Sequence, residues 1–300
     1  MNALYQEQLE KISRELSFLP DKPEENPHST LRALWHRAAG RALSAEAAMA
    51  GDLPSLDDSS RARLTELLTR RFSGVPLAHL TERQRFVGME MLAGPGALVP
   101  RRETELLARA AIDLAREAAA GLDDVRVIDV CTGSGNVALA VAHHVPTAHV
   151  FAADLSEDAV ALARLNAVHL GLEARAEFRA GDLLAPFDAH DFHGTVDVLT
   201  CNPPYISSAK VEHMHGEISK HEPRLAFDGG AFGVNILMRL LQDAPRFLKP
   251  GGWLAFEVGL GQGPAMTKRL EKVAGVQQVA PLLDSKGDVR ALRARFLKVA

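Results

Sequence analysis

The sequence predicts an α/β protein, in which a parallel β-sheet follows a smaller all-helical unit. Strands alternate with amphipathic helices from about residue 103 onward, whereas residues up to about 72 show only helical periodicity. A chain of 300 residues, 47% hydrophobic and 24% charged, is long enough for two domains with a sizeable core. We predict a helical domain over residues 1–74, a linker over 75–102 and an α/β domain over 103–300.

The N-terminal part is predicted to contain three helices. Leu9, Ile12, Leu16 and Leu19 recur at three- and four-residue intervals before a proline-rich break. Ser29 is predicted to cap a second helix, and residues 57–60 are predicted to open a third. These helices are expected to pack as a bundle whose outer face can meet a protein partner.

The linker is predicted to be a β-hairpin, because glycines surround the short apolar run over residues 85–92. Beyond it, five strands are predicted at residues 125–130, 148–154, 176–179, 196–201 and 252–258. Helices between successive strands indicate a parallel sheet covered on both faces, and such sheets bind ligands at the carboxyl ends of their strands.

Composition narrows the class of protein. No apolar stretch reaches the 18 residues of a membrane helix, and the first 18 residues lack the pattern of a secretory signal. Two cysteines outside any C-x-x-C pair favour a reducing cytoplasm. A net charge of −4 disfavours stable binding of duplex nucleic acid by phosphate attraction, although a local basic patch stays possible. A cytoplasmic protein without a membrane partner is therefore expected.

A glycine turn follows the first strand of the sheet. The strand ends near Asp129, and the turn that follows contains Cys131, Thr132, Gly133, Ser134 and Gly135. Glycine lets a backbone turn sharply and lets a ligand approach it closely. A dinucleotide-binding G-x-G-x-x-G pattern would need glycine at positions 131, 133 and 136, and only Gly133 matches. A nicotinamide or flavin cofactor is thereby disfavoured.

Acidic residues follow the next two strands. Asp154 ends the second strand, where a carboxylate can accept hydrogen bonds from ribose hydroxyls. Asp182 and Leu183 follow the third strand, where they can reach the edge and the face of a purine. Because no phosphate-binding loop accompanies these acids, a nucleoside ligand without phosphates is predicted.

The most specific motif follows the fourth strand and reads Asn202-Pro203-Pro204-Tyr205. The prolines fix the backbone and lack N–H groups, so nearby carbonyls are left to accept hydrogen bonds. Asn202 adds a side-chain carbonyl, and Tyr205 adds an aromatic face beside a cationic centre. This combination predicts a clamp for a planar –NH₂ group.

With these motifs the chain resembles the class I S-adenosylmethionine-dependent methyltransferases, and within them the HemK/PrmC family of protein-glutamine methyltransferases. Residues 74–81, 98–105, 221–223 and 227–230 are similar to further signatures of that family, so the resemblance covers nearly the whole chain. It implies a Rossmann-like, mostly parallel seven-stranded sheet with S-adenosylmethionine as cofactor. It also implies methylation of a glutamine side chain, in the GGQ loop of class I peptide-chain release factors or in a ribosomal protein.

The resemblance also implies roles for individual residues. It implies that Asp129, Asn202 and residues 131–135 bind the cofactor, with the turn 131–135 at its methionine part. Asp154 would bind the ribose, and Asp182 and Leu183 would contact the adenine. Substrate binding falls to Asn202, Pro203, Pro204, Tyr205, Arg101 and Glu222, with Asn202, Pro203 and Tyr205 as the catalytic group. Cys131 replaces the glycine usual in the family, Arg102 stands where proline is favoured, and Leu183 replaces a bulkier neighbour of the adenine.

Other interpretations of the same residues stay open. A clamp for –NH₂ also suits exocyclic amines in RNA or DNA, and a non-catalytic binding module is conceivable on the same fold. His213, His215 and His221 lie near Glu212 and Glu222, but their spacing fits no zinc template, and no metal is predicted. Cys131 and Cys201 follow strands expected to be neighbours, so their thiols are predicted to lie close together and to be reduced.

Overall fold

The computed structural model describes residues 3–120, 124–212, 216–230 and 233–297. Three short 3₁₀ turns supplement the helices and strands of this part of the chain, at Ala47–Met49, Ala185–Phe187 and Arg224–Ala226. The α-helices are α1 (Ala3–Glu15), α2 (Pro27–Ala38), α3 (Asp58–Phe72), α4 (Leu77–Thr81), α5 (Glu105–Ala119), α6 (Asn136–His144), α7 (Glu157–Leu170), α8 (Ser208–Val211), α9 (Gly216–His221), α10 (Asn235–Phe247) and α11 (Gly263–Leu270). The strands are β1 (Arg83–Phe86), β2 (Met89–Leu92), β3 (Val125–Val130), β4 (Ala148–Asp154), β5 (Ala176–Ala180), β6 (Val196–Cys201), β7 (Leu248–Glu257), β8 (Val276–Leu283) and β9 (Val289–Phe296).

Helices α1 to α4 enclose a core of their own, centred on Leu31, Leu34 and Trp35. The predicted start of the second helix was wrong by three residues. Asn26 is the N-cap of α2 and accepts hydrogen bonds from two backbone N–H groups, while Ser29 is the third helical residue and completes the capping box. Asp57 caps α3 as the sequence predicted.

Strands β1 and β2 form the predicted antiparallel hairpin. Its apolar side chains, Phe86, Met89 and Met91, are buried in the same core as the first face of the large sheet. The hairpin thus packs with the C-terminal part of the chain. The domain boundaries placed at residues 74 and 102 stay predictions.

The large sheet has seven strands in the order β5-β4-β3-β6-β7-β9-β8. The first five strands in that order are parallel, and β9 runs antiparallel between β7 and β8. One face packs on α5, α6 and α7, and the other packs on α10 and α11 around a second apolar core. The predicted α/β class, with a mostly parallel seven-stranded sheet and a helical N-terminal region, is confirmed.

None of the helices in the ranges described above is long and apolar enough to cross a membrane.

Candidate active site

The carboxyl ends of β3 and β6 meet at the centre of the sheet, where the strand order reverses. The Asp129 carboxylate is buried there and accepts 2.6 Å hydrogen bonds from the hydroxyls of Thr132 and Thr200. Burial raises the pKa of Asp129 to about 6, although both hydroxyls lower it. Asp129 lines neither of the two cavities described below and instead ties the turn after β3 to β6.

The turn after β3 adopts left-handed backbone conformations at several positions. Cys131 and Gly133 both have φ of +56°, and Gly135 has φ of +81°. A β-carbon on Gly135 would lie 3.0 Å from Phe178 and 3.2 Å from Ala163, so this position also lacks space for a side chain. Cys131 thus holds a left-handed conformation that glycine adopts more easily than any other residue.

Asp154, at the end of β4, faces the same turn. Its Oδ2 accepts from the Gly133 N–H at 2.8 Å, and its Oδ1 accepts from the Ser156 N–H at 2.9 Å. Burial raises the pKa of Asp154, and these backbone donors counteract that effect. The carboxylate therefore fixes the turn and still lines the adjoining cavity.

The segment after β5 carries Asp182 and Leu183. Leu183 is buried with φ of +50°, and Asp182 is half-exposed and forms a 2.7 Å ion pair with Arg239 of α10. Gly181 precedes them, and a β-carbon there would lie only 2.4 Å from Pro186. Asp182 and Leu183 both line the cavity that also borders Asp154.

These strand ends surround a first cavity with an empty volume of about 960 Å³, part of which is open to solvent. That volume is typical of sites for small molecules and cofactors. The buried Ser134 hydroxyl, on its wall, has no hydrogen-bond partner among the described residues. Ten of the predicted site residues line this cavity: Arg101, Cys131, Thr132, Gly133, Ser134, Asp154, Asp182, Leu183, Asn202 and Pro204. Gly135 does not.

The loop after β6 is held by close backbone contacts. Ile206 exchanges backbone hydrogen bonds with Phe227 and Gly229, and the Gln262 side chain donates to the Tyr205 carbonyl at 3.1 Å. A β-carbon on Gly233 would lie 2.1 Å from the Tyr205 carbonyl oxygen. The glycines downstream of the motif are therefore needed for this approach. Sequence reasoning noted Gly229 and Gly230 but missed Gly233 and Gln262.

Asn202 lies where the first cavity meets a second one. Its Nδ2 donates to the Thr104 hydroxyl at 3.2 Å, so its Oδ1 is left as an acceptor. The second cavity is also bordered by Arg101, Pro203, Tyr205, Glu257 and Arg290. Of the predicted site residues, Asn202 and Arg101 thus border both cavities.

Tyr205 is half-buried against the end of β7. Its hydroxyl donates to Oε1 of Glu257 at 3.0 Å, and burial together with Glu257 raises the pKa of the Tyr205 hydroxyl. Burial also raises the pKa of Glu257 to about 7, against the effects of the Thr104 and Tyr205 hydroxyls and the Arg290 charge. Sequence reasoning missed both Glu257 and Thr104.

Arg101 and Glu222 form a buried ion pair at one edge of the cavities. Glu222 also accepts from the Val99 N–H at 3.0 Å. Both carboxylate oxygens are thus engaged within the protein, and Glu222 lines neither cavity. The structure makes Glu222 the residue that orients Arg101, whereas Arg101 itself borders both cavities.

The two cysteine thiols lie close enough to interact, as predicted, and both cysteines are free. Burial raises the pKa of Cys201 well above its usual value, and the neighbouring Cys131 raises it further. The predictions about His213 and His215 fall outside the described residues. No group of three or more histidine, cysteine, aspartate or glutamate side chains within the described ranges is arranged to hold a metal ion.

Known proteins share this fold. A family described as "Methyltransferase domain" matches residues 122–272. The catalytic domain of human METTL16, solved with an RNA hairpin, superposes with a TM-score of 0.54 at 15% identity, covering 83% of this chain and 86% of that one. The human methyltransferase 10 domain containing protein gives a TM-score of 0.52 at 18% identity, covering 70% and 90%. Fold and site together define a class I methyltransferase.

Sequence relatives narrow the class further. A release factor glutamine methyltransferase of Bradyrhizobium diazoefficiens is 36% identical over 264 residues, covering 88% of this chain and 86% of that protein. Those of Moorella thermoacetica and Streptomyces coelicolor are 37% and 39% identical, covering 75% and 71% of this chain and 77% and 73% of theirs. This chain belongs to the family of release factor glutamine methyltransferases.

Proposed function

We propose that this protein transfers a methyl group from S-adenosylmethionine to the side-chain amide nitrogen of the glutamine in the GGQ loop of class I peptide-chain release factors. The single observation that carries the proposal is the position of Asn202, on the wall between two cavities with its Oδ1 left to accept. Family membership supports the release factor as substrate. Because that substrate acts in translation, we also propose a cytoplasmic location.

The first cavity fits S-adenosylmethionine. It offers the unpartnered Ser134 hydroxyl, the Asp154 and Asp182 carboxylates and the apolar side chains of Leu155 and Leu183. In this proposal Asp154 accepts from the ribose hydroxyls, and Asp182 and Leu183 contact the adenine. When bound, the cofactor supplies an electrophilic methyl group on a sulfonium.

The chain's own residues make an amide nitrogen reactive by holding it. A carboxamide nitrogen is a poor nucleophile, because its lone pair is delocalised into the carbonyl. The Asn202 Oδ1 and the Pro203 carbonyl accept the two amide hydrogens, which aims the nitrogen toward the first cavity. These acceptors also stabilise the positive charge that builds on nitrogen during transfer. Positioning of this kind contributes on the order of 7–11 kcal/mol to lowering a barrier.

Pro204 and Tyr205 complete the clamp by shaping the loop. Pro204 borders the first cavity and Tyr205 the second, and the buried Tyr205 hydroxyl is fixed by Glu257. Arg101, held by Glu222, lies at the border of both cavities, where we propose that it contacts the backbone of the incoming loop. No residue is needed as a strong base, because the proton leaves to water after transfer.

The decisive experiment is mass spectrometry of purified release factor after incubation with the protein and S-adenosylmethionine. One added methyl group on the GGQ glutamine is expected, and none on a release factor whose glutamine is replaced by alanine. Asn202→Ala is expected to abolish turnover while calorimetry shows cofactor binding largely retained. Parallel incubations with ribosomal protein and with RNA test the other acceptors. Methylation of either in preference to release factor would overturn the proposal.

A further inference from the structure

We infer that Glu257 is a positioning residue, which acts through Thr104 and Tyr205 to fix the direction in which the Asn202 amide points. This inference rests on the proposed function and deepens it. It concerns a strand-end carboxylate on β7, the neighbour of the strand that carries the Asn-Pro-Pro-Tyr motif.

The geometry is a short series of polar groups on the wall of the second cavity. Asn202 Nδ2 donates to the Thr104 hydroxyl at 3.2 Å, and Thr104 lies close enough to Glu257 to lower the pKa of its carboxyl. From the other side, the Tyr205 hydroxyl donates to Oε1 of Glu257 at 3.0 Å. Glu257 is 2% exposed, and its Oε2 has no hydrogen-bond partner among the described residues. The carboxylate thus contacts Tyr205 directly and neighbours Thr104, which is bonded to Asn202, and its Oε2 is left to accept a further hydrogen bond.

The direction of these hydrogen bonds decides what Asn202 offers to a substrate. A threonine hydroxyl has one proton, and an ionised carboxylate is acceptor-only. In this inference the Thr104 hydroxyl donates its proton to ionised Glu257, so it can only accept from Asn202. Asn202 must then turn Nδ2 toward Thr104 and Oδ1 toward the cavity. Oδ1 is the atom that accepts an amide hydrogen of the substrate.

Protonation of Glu257 removes this constraint. A protonated Glu257 donates its own proton, so the Thr104 hydroxyl becomes able to donate to Asn202 Oδ1. The Asn202 amide can then rotate and present Nδ2, a donor, to the –NH₂ group of the substrate. A donor facing a donor forms no hydrogen bond, so the clamp is lost.

The surroundings of Glu257 place this change within a measurable pH range. The titratable groups that act on it are Tyr205, Arg290 of β9 and Glu103. Arg290 lowers and Glu103 raises the pKa of Glu257, and burial brings it to about 7. Turnover is therefore expected to increase as the pH rises through about 7.

The test compares the wild-type protein with Glu257→Gln, Thr104→Val and Thr104→Ser in the release factor assay. We expect kcat to fall about 10- to 100-fold in Glu257→Gln and Thr104→Val, as for a reacting group held slightly out of place. The dissociation constant of S-adenosylmethionine is expected to stay unchanged in Glu257→Gln, because Glu257 borders only the second cavity. Thr104→Ser, which keeps the hydroxyl, is expected to restore most of kcat. The rise of kcat near pH 7 is expected to vanish in Glu257→Gln.

A matched control is Asp197→Asn, which removes another buried strand-end carboxylate at the opposite end of β6, where Asp197 pairs with Lys249. This variant is expected to change stability without changing kcat or its pH profile. The inference is overturned if Glu257→Gln keeps the wild-type kcat and pH dependence, or if Thr104→Val turns over normally. A wild-type protein that fails to methylate release factor would instead contradict the proposed function.

A second readout needs no substrate. The side-chain amide of Asn202, observed by ¹⁵N NMR, reports its hydrogen bond to Thr104 directly. In the wild-type protein its shift is expected to change between pH 6 and pH 8, and in Glu257→Gln it is expected to stay constant. An amide signal that is independent of pH in the wild-type protein would overturn the inference.

Discussion

The Lys22 ammonium group forms a 2.7 Å ion pair with Glu217, which lies 195 residues further along the chain in helix α9. Arg71 of α3 donates to the other oxygen of the same carboxylate at 2.7 Å and to Glu25 at 3.0 Å. No side chain in this cluster is more than 4% exposed. Buried charges thus connect the N-terminal helices to the segment that follows the Asn-Pro-Pro-Tyr motif.

Glu217→Gln is expected to destabilise the protein on the order of 3–5 kcal/mol, because it leaves two buried cations with one carboxylate between them. Burial alone would raise the pKa of Glu217, but Lys22 and Arg71 lower it below its usual value. Its stabilising effect is therefore present above pH 4.5 and is lost as the pH falls through the lowered pKa. Urea unfolding at pH 7 and pH 4 measures both effects. As a control, Asp113→Ala removes an exposed ion pair and is expected to cost less than about 1 kcal/mol. Equal losses of unfolding free energy in Asp113→Ala and Glu217→Gln would contradict this prediction.

Glu257→Gln is expected to stabilise the protein at pH 8 while it lowers activity. The pKa of Glu257 rises from 4.5 to about 7 on folding, so the wild-type protein loses stability as the pH rises between these values. The shift corresponds to about 3 kcal/mol at pH 8, and the neutral glutamine side chain avoids it. Denaturant unfolding at pH 5 and pH 8 measures the difference. The difference in unfolding free energy between variant and wild type is expected to be larger at pH 8 than at pH 5. An equal difference at both pH values would show that Glu257 ionises normally.

Gly135→Ala is expected to destabilise the protein by more than Gly171→Ala. Both glycines have left-handed φ values, of +81° and +67°, which cost an alanine roughly 1–2 kcal/mol. Only at Gly135 would the new β-carbon also crowd Phe178, Leu139 and Ala163, which adds about 1–3 kcal/mol. The difference between the melting temperatures of the two variants measures the cost of crowding at Gly135. Similar melting temperatures would mean that the turn relaxes without cost.

Cys131 is expected to react with iodoacetamide, and Cys201 is expected not to react. Cys131 is half-buried and lines the first cavity, whereas Cys201 is fully buried and its pKa is raised. The thiolate is the reactive form, so burial and a raised pKa both protect Cys201. Saturating S-adenosylmethionine is expected to slow the labelling of Cys131. Peptide mass spectrometry identifies the labelled residue, with Cys131→Ser as the control; labelling unaffected by cofactor would place the thiol outside its site.

The strands that carry the site could be predicted from the sequence, and so could the polar residues that follow them. β3, β4 and β6 have the predicted bounds, because each is a short apolar run that ends in a polar turn. β8 and β9 escaped individual prediction because their half-exposed residues mix apolar side chains with arginines and glutamines. Leu16 lies outside α1, although it continues the apolar spacing, because periodicity does not mark where a helix ends.

The groups that support Asn202 and Tyr205 were harder to predict than the motif residues themselves. Glu257 ends a buried strand in the same way as Asp154, so the rule that found Asp154 applies to it too. Thr104 gave no comparable signal, since its hydrogen-bond partner Asn202 lies 98 residues away along the chain. Glu222 was predicted to touch substrate, yet its partners are Arg101 and the Val99 N–H. Pairings across such separations follow from the folded topology.

The position of β9 has a consequence for how the site is assembled during synthesis. β9 lies between β7 and β8, although it is the last strand along the chain. Until residues 289–296 have left the ribosome, β7 has a bare edge and β8 has no neighbour to pair with. Arg290, which faces Glu257, arrives with this strand. The first four strands of the sheet along the chain can therefore pair before β9 is synthesised, whereas Arg290 reaches the candidate site only when β9 inserts between β7 and β8.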